Sequence, residues 1–419
     1  MAETAMDGAI PKPRTVTSRV PRVLFLALSF PDVAEDQNMY TDLARSLVDQ
    51  GTDLRVLAPA RSSGPGTRVE GDIVVTRVAT GRLLNVSMVR KGLENLLLPL
   101  RYRRAVNRHL PDWRPDWIVT PTPPITLGPL VASLKRRWGA KAYVVLRDIF
   151  PQNAVDLGIL RTGVRYRFFR RVERKLYESA DAIGCMSPGN ARYVLEHNPG
   201  LNPNRVKVLP NWIGREALDP GLDRQEARRR WAADDRDFLC VFGGNIGRPQ
   251  RVDFLLDVAM AIREDERIRL IIVGDGTERR TAERTIQERG LRNVTLHQRL
   301  PRAAYQSLLA AADLGIVTLH EAFTIPNIPS RLLGYWAAGI PVLAATDTAT
   351  DLNEAFLQKH GGGRWIAMGD VSGFADAITS MADQPQQTRA MGTRGRDAVT
   401  QFYVADAAAR QMLTSMSVQ

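Results

Sequence analysis

Short apolar runs alternate along this chain with stretches whose apolar residues return every third or fourth position. The first kind reads as buried strands and the second as amphipathic helices. In the first half the pattern predicts strands over 22–29, 54–58, 73–78, 117–119, 142–146, 182–186 and 206–209. Helices are predicted between them over 36–50, 85–110, 127–138, 164–179 and 189–197, the second interrupted by Pro99. Pro210 to Gly214 and Asp219-Pro220-Gly221 carry turn residues without periodicity, and predict an interdomain linker. The alternation then restarts, with strands over 238–242, 269–273, 294–296, 314–317 and 342–344. Helices are expected over 252–262, 277–289, 302–311, 330–338, 349–359, 370–381 and 385–402. A last helix over 405–416 has spacing that lets it pack on either domain, including back on the N-terminal one.

Strands alternating with helices imply the α/β class and parallel, doubly wound sheets. The chain divides into a lead-in without order over 1–20, an N-terminal domain over 21–210, a C-terminal domain over 211–400 and a C-terminal helix within 401–419. The two domains read as Rossmann-like halves in tandem. A ligand cleft is expected at the carboxyl ends of their strands.

Composition narrows this picture. The 419 residues exceed one ordinary core, and 44% hydrophobic with 24% charged content is that of a globular protein. No apolar run approaches the ~18 residues of a membrane span. The start carries Glu3 and Asp7 and no apolar block before Val20, and so does not read as a secretory leader. Cys185 and Cys240 each lie among apolar residues, so buried thiols in a reducing cytoplasm are expected. Charge is uneven: residues 1–210 hold 32 Lys+Arg against 19 Asp+Glu, and residues 211–419 hold 25 against 26. A basic first half suits an anionic surface, membrane or nucleic acid.

The chemistry centres on FLCVFGGNIGRPQR, residues 238–251. An apolar strand stops at Gly243-Gly244, a polar loop follows, and a helical pattern begins at Val252. Such a junction offers unpaired N–H groups and a helix dipole to an anion, and Arg248 adds a charge-assisted contact. A tight strand-to-helix turn without a ligand has the same local form.

Three further stretches stand downstream in fixed order. They are Ile271-Ile272-Val273-Gly274-Asp275-Gly276, then Arg299-Leu300-Pro301, then Ile328-Pro329-Ser330-Arg331 running through Ala338-Gly339-Ile340-Pro341-Val342. With the glycine loop they resemble the donor-binding half of the retaining glycosyltransferases of family 4, which have the GT-B fold. In the first half, Leu146-Arg147-Asp148-Ile149-Phe150-Pro151-Gln152 resembles that family's strand end facing the cleft. Glu173 to Asp181 and Leu209-Pro210-Asn211 are similar to family stretches before and at the linker. The forms look most like the branch acting in bacterial polysaccharide assembly, fucosamine transferases included. The resemblance covers about residues 20–400.

The resemblance implies two Rossmann-like domains facing each other across a cleft, and a retaining hexosyl transfer from a nucleotide-sugar donor, UDP-linked in this reading. Gly243, Gly244, Asn245, Gly247 and Arg248 would hold the donor diphosphate. Ser330 and Arg331 would bring N–H groups and a second positive charge to it. Gly274 and Gly276, with backbone around Arg299 and Leu300, would wall the base. Asp148 would orient the acceptor hydroxyl or take its proton, and Arg147 would meet an acceptor phosphate or carboxylate. An Arg147-Asp148 pair that only ties the strand end to a neighbour is the plainer alternative. In retaining enzymes of this fold donor phosphate oxygen assists deprotonation, so a dedicated base is not required.

This chain also departs from the family pattern. The loop 31–38 is glycine-rich in many relatives but has no glycine here, which makes Asp36, Gln37 and Asn38 the acceptor candidates. Two family glutamates fall at Pro326 and Gly334, the second being the one that contacts ribose. Glu321 lies upstream as a substitute for the first. Five scattered histidines and two separate cysteines offer no metal-ligand spacing, so a metal-independent enzyme without cofactor is expected.

In the basic half, 88–110 sets Val89, Leu93, Leu96, Leu97 and Leu100 beside Arg90, Lys91, Arg101, Arg103, Arg104 and Arg108. Residues 165–175 set Phe168 and Phe169 among Arg165, Arg167, Arg170, Arg171 and Arg174. Such helices lie on anionic lipid when their apolar faces are not core. The expected partners are a nucleotide-sugar donor, a lipid-linked or other saccharide acceptor and an anionic membrane, with no nucleic acid. The expected place is the cytoplasmic face of the inner membrane. A nucleotide-sugar epimerase and a non-catalytic nucleotide-binding protein on the membrane are the alternatives on the same fold.

Overall fold

The computed structural model describes residues 20–417 apart from 34–35, 61–63, 82–87, 219–220, 232–233 and 235, with backbone alone for 88–93. The expected lead-in before Val20, and Asp219 and Pro220 of the linker, lie outside the described residues.

The N-terminal domain carries β1 (Arg22–Leu26), β2 (Asp53–Pro59), β3 (Gly66–Glu70), β4 (Ile73–Val78), β5 (Trp117–Pro121), β6 (Lys141–Val145), β7 (Ala182–Cys185) and β8 (Val206–Val208). Their order is β3-β4-β2-β1-β5-β6-β7-β8, and only the β3–β4 pair is antiparallel. The C-terminal domain carries β9 (Phe238–Gly243), β10 (Ile268–Val273), β11 (Val294–His297), β12 (Leu314–Thr318), β13 (Val342–Thr346) and β14 (Gly363–Ala367). Their order is β11-β10-β9-β12-β13-β14, all parallel. The chain is thus two α/β Rossmann-like domains.

Strand periodicity explains how each sheet is buried on both faces. In β1, Val23 and Phe25 join one apolar cluster while Leu24 and Leu26 join another on the opposite face. In β9, Leu239 and Val241 face one cluster, and Cys240 and Phe242 the other. Each such fully buried side chain contributes roughly 1.5–3 kcal/mol relative to exposure. Cys185 and Cys240 are free thiols in these cores, and burial pushes both thiols up, Cys185 to about 12.

Two strands depart from the sequence expectation, and both are edges. β3 alternates exposed and part-buried positions, and β14 is part-buried and follows paired glycines, so neither shows a continuous apolar run. The predicted helix over 36–50 begins only at Met39. Asn38 caps it, accepting from the Tyr40 and Thr41 N–H groups while the Thr41 hydroxyl accepts from the Asn38 N–H. The segment expected to be helical over 349–359 contains a π-helical turn, Asn353–Gln358.

The chain crosses between domains twice, and the crossings run side by side. Ile213 N–H donates to Tyr403 O at 3.0 Å, and Ala405 N–H donates to Ile213 O at 2.9 Å. The helix Ala405–Ser417 then packs on the N-terminal domain, burying Ala409, Met412 and Met416 with Leu43, Leu47 and Trp212.

Candidate active site

The glycine loop leaves β9 with its backbone pressed against two tyrosine side chains and one arginine. Gly243 N–H donates to the Tyr335 hydroxyl at 2.9 Å, and a Cβ placed on Gly243 would stand 2.0 Å from the Tyr305 hydroxyl. Gly244 has φ +144°, and a Cβ there would stand 2.9 Å from the Arg331 guanidinium carbon. That guanidinium lies 4.6 Å from the Phe242 ring centroid. Its Nη1 is buried without a hydrogen-bond partner, and burial holds its pKa below the usual value. A buried guanidinium N–H without an acceptor is costly, and an anion in the loop would relieve it. Gly244, Asn245, Arg248 and Ser330 are exposed around this point.

Other parts of the loop are committed to its own shape. Asn245 Nδ2 donates to Gln250 Oε1 at 3.0 Å, and a Cβ on Gly247 would stand 2.5 Å from that amide nitrogen. The regular helix starts only at Val252, after a turn over Arg248–Gln250 and the left-handed Arg251. Its first turn is occupied by Asp253, which Arg251 binds at 3.0 Å. Gly244, Asn245 and Arg248 are the exposed positions of the loop ahead of that helix start.

The second glycine turn locks the first. A Cβ on Gly274 would stand 1.8 Å from Gly244 O, and one on Gly276 would stand 2.1 Å from Ile246 O. Ile246 N–H donates to Asp275 O at 2.8 Å, and Glu278 N–H returns to Ile246 O at 3.0 Å. Gly274 and Gly276 thus permit close loop-to-loop packing. Arg299 is exposed, and Leu300 packs against the cluster that holds Leu239 and Val241.

Across the cleft, β6 runs into Arg147-Asp148. The Asp148 carboxylate accepts from Asn153 Nδ2 at 2.5 Å. Burial raises its pKa to about 6, the Asn153 bond opposing the shift. Burial raises the Tyr40 phenol, Arg147 opposing the shift and the Asp148 charge adding to it. Arg147 is committed to backbone carbonyls and a ring. Its Nη1 donates to Leu209 O at 2.9 Å, its Nη2 to Pro210 O at 3.2 Å, and it stacks 4.6 Å from the Trp212 ring. It ties the strand end to the linker. Gln37 Oε1 accepts from Arg302 Nη1 at 3.1 Å across the cleft, Asn38 is spent as the helix cap, and Asp36 is exposed.

The departures from the family pattern have a structural counterpart in the segment after β12. Leu319, Phe323 and Ile325 are buried in the N-terminal domain's cluster with Leu146 and Ile149. Pro326 O accepts from Asn190 Nδ2 at 3.1 Å, and Ile328 O from Asn211 Nδ2 at 2.7 Å. Pro326 therefore serves interdomain packing. Glu321 pairs with Arg251, and its carboxylate stands 3.5 Å from His320 Nδ1. At Gly334 a Cβ would meet open space beside its own helix. Sequence reasoning passed over Tyr305, Tyr335 and Asn153; only Tyr335, four residues after Arg331 on one helix, left a readable signal. Among the described residues no group of three or more His, Cys, Asp or Glu side chains is placed to hold a metal ion.

Comparison with known proteins agrees with this two-part construction. Residues 37–212 match the glycosyl transferase 4-like domain, and residues 223–398 match the glycosyl transferases group 1 family. The chain is 27% identical to the probable glycosyltransferase WbjE of Pseudomonas aeruginosa over 57% of this chain and 60% of that protein. The match thus spans less than two thirds of that relative's length. It is 23% identical to the lipopolysaccharide core biosynthesis glycosyltransferase LpsE of Rhizobium meliloti, over 88% of this chain and 94% of that one. Its fold superposes on HepE of Anabaena, solved in complex with UDP and glucose, with a TM-score of 0.70 at 16% identity, covering 95% and 100% of the two chains.

Proposed function

We propose that this chain, which joins a glycosyl transferase 4-like domain to a glycosyl transferases group 1 domain in the GT-B arrangement, moves a sugar from a nucleoside-diphosphate donor to a saccharide acceptor. The setting is bacterial surface polysaccharide or lipopolysaccharide synthesis. The donor is UDP-linked, the acceptor lipid-linked, the anomeric configuration retained, and the place of work the cytoplasmic face of an anionic membrane. The relatives' names and the basic first half support this reading.

One observation carries it: the Arg331 guanidinium, its buried Nη1 without a hydrogen-bond partner, held against Gly244. In the transfer, the bond between the anomeric carbon and the donor phosphate oxygen breaks, and negative charge grows on the leaving diphosphate. Arg331, preorganised over the Phe242 ring, and the exposed Arg248 stabilise that charge. The acceptor oxygen attacks on the same face, and its proton passes to phosphate oxygen. Asp148, held by Asn153, orients the acceptor hydroxyl from the facing domain.

Turnover of UDP-sugars with a lipid-linked saccharide tests the assignment, with product analysis in the absence of acceptor. Release of UDP dependent on acceptor supports transfer. Conversion of the sugar nucleotide alone supports an epimerase, and nucleotide binding without any turnover supports a non-catalytic protein.

A further inference from the structure

Between Leu157 and Val172 the chain holds five arginines and no Asp or Glu. Arg170 is engaged with Glu173 and with the carbonyl of His197. Arg161, Arg165, Arg167 and Arg171 are exposed, and none has an ion-pair partner among the described residues. Other surface arginines are held by carboxylates: Arg224 binds Asp313, Arg267 binds Asp265 and Asp383, and Arg289 binds Asp257. Three large apolar side chains stand out among the free cations: Ile159 is 63% exposed, Val164 76% and Phe168 52%.

This surface borders the candidate active site. Phe168 meets Phe169 edge-on at 5.4 Å, and Phe169 meets Phe150, two residues beyond Asp148, at 5.1 Å. A Cβ on Gly158 would lie 3.7 Å from Arg248 Nη1 of the donor loop. On the other side of the Ile125–Leu127 turn, the helix Met88–His109 exposes Leu96 and Leu100 together with Arg103, Arg104 and Arg108.

We infer that the segment from Ile159 to Arg171 is a docking element for an anionic lipid bilayer. Ile159, Val164 and Phe168 enter the headgroup boundary, and Arg161, Arg165, Arg167 and Arg171 meet lipid phosphates. Apolar tips set among unpaired cations match an anionic bilayer in both charge and polarity, and suit a nucleic acid only in charge. Docking there lays the mouth of the cleft, with Asp148 on one wall and Arg248 on the other, against the membrane. The inference takes its purpose from the lipid-linked acceptor reading, but its binding test stands apart from it.

The test is vesicle co-sedimentation of the full chain. Vesicles containing phosphatidylglycerol are compared with phosphatidylcholine alone, for the wild type, an Ile159→Asp/Phe168→Asp variant and an Arg165→Gln/Arg167→Gln/Arg171→Gln variant. The expected result is binding to the anionic vesicles only, with partitioning reduced about tenfold or more in each variant. A UDP thermal shift on the same samples shows that the variants are folded; its absence in the wild type counts against the transferase reading and not against docking. Wild-type chain left in the supernatant overturns the inference, as does equal binding to phosphatidylcholine. Loss in the arginine variant with none in the aspartate variant also overturns it, and marks a polyanion site such as one for nucleic acid.

Discussion

Arg331 and Gly244, 87 residues apart in sequence, are in van der Waals contact range: a Cβ added to Gly244 would stand 2.9 Å from the guanidinium carbon. A strand-end glycine and a helical arginine thereby form one wall, floored by the Phe242 ring. Gly244→Ala is expected to disturb this wall twice, through its φ of +144° and through displacement of Arg331. UDP affinity should fall about tenfold or more, since misplacing a charge-assisted contact costs on the order of 1.5–3 kcal/mol. Calorimetric titration checks this, and an unchanged Kd would contradict it.

Glu70 and Arg77 shape the loop that follows β1. Arg77 is buried, bonded to both Glu70 oxygens at 2.8 and 2.5 Å, and donates to Phe30 O and Pro31 O at 2.6 and 2.8 Å. Glu70→Gln leaves the cation uncompensated and is expected to cost about 3–5 kcal/mol in urea unfolding of the N-terminal domain. A loss below about 1 kcal/mol, the value of a surface pair, would show that the pair does not organise this loop.

Arg147→Met is expected to loosen the link between strand end and linker. It removes the bonds to Leu209 O and Pro210 O and leaves these carbonyls to find other donors. Stability should fall by about 1–3 kcal/mol, with UDP affinity unchanged because the donor wall lies in the other domain. Loss of UDP binding without loss of stability would place Arg147 in the donor site instead.

Asp148 sets a pH dependence. Burial raises its pKa to about 6, above the ~3.9 of an unfolded chain, so the folded state holds the proton more tightly. Its contribution to stability therefore falls as pH rises from about 4 to about 6, and is level above that. Activity runs the other way, rising through about 6 as the carboxylate ionises. Asp148→Asn, whose amide oxygen still accepts from Asn153, removes the charged acceptor that orients the hydroxyl, and should flatten this limb and lower kcat/KM about 10- to 10²-fold. A retained acidic limb in the variant would assign the titration elsewhere.

The alternation of buried strands and periodic helices was legible because each sheet is covered on both faces, as the opposed Val23 and Leu24 clusters illustrate. The Gly244 and Arg331 positions were legible as glycine at a strand end and charge at a helix start. Contacts set by side-chain direction were not. Arg147 and Asp148 are neighbours in sequence, yet one turns to Trp212 in the linker and the other to Asn153. Gly274 and Gly276 look like ligand glycines, but their requirement comes from carbonyls of Gly244 and Ile246. Glu321 has the residue type of a donor contact, and Arg251 takes it. β3 and β14 escaped because edge strands need no continuous apolar run.

The central claim is that Arg331, whose buried Nη1 has no hydrogen-bond partner, awaits a diphosphate. Thermal unfolding with and without UDP, for the wild type and Arg331→Met, tests it directly. Ligand at a hundredfold excess over Kd adds about 2.7 kcal/mol, which raises the wild-type Tm by roughly 5–10 °C. The Arg331→Met variant should match or exceed the wild-type Tm without ligand, because a desolvated charge is gone, and should gain little from UDP. An equal UDP response in both proteins, or none in the wild type, would contradict the account.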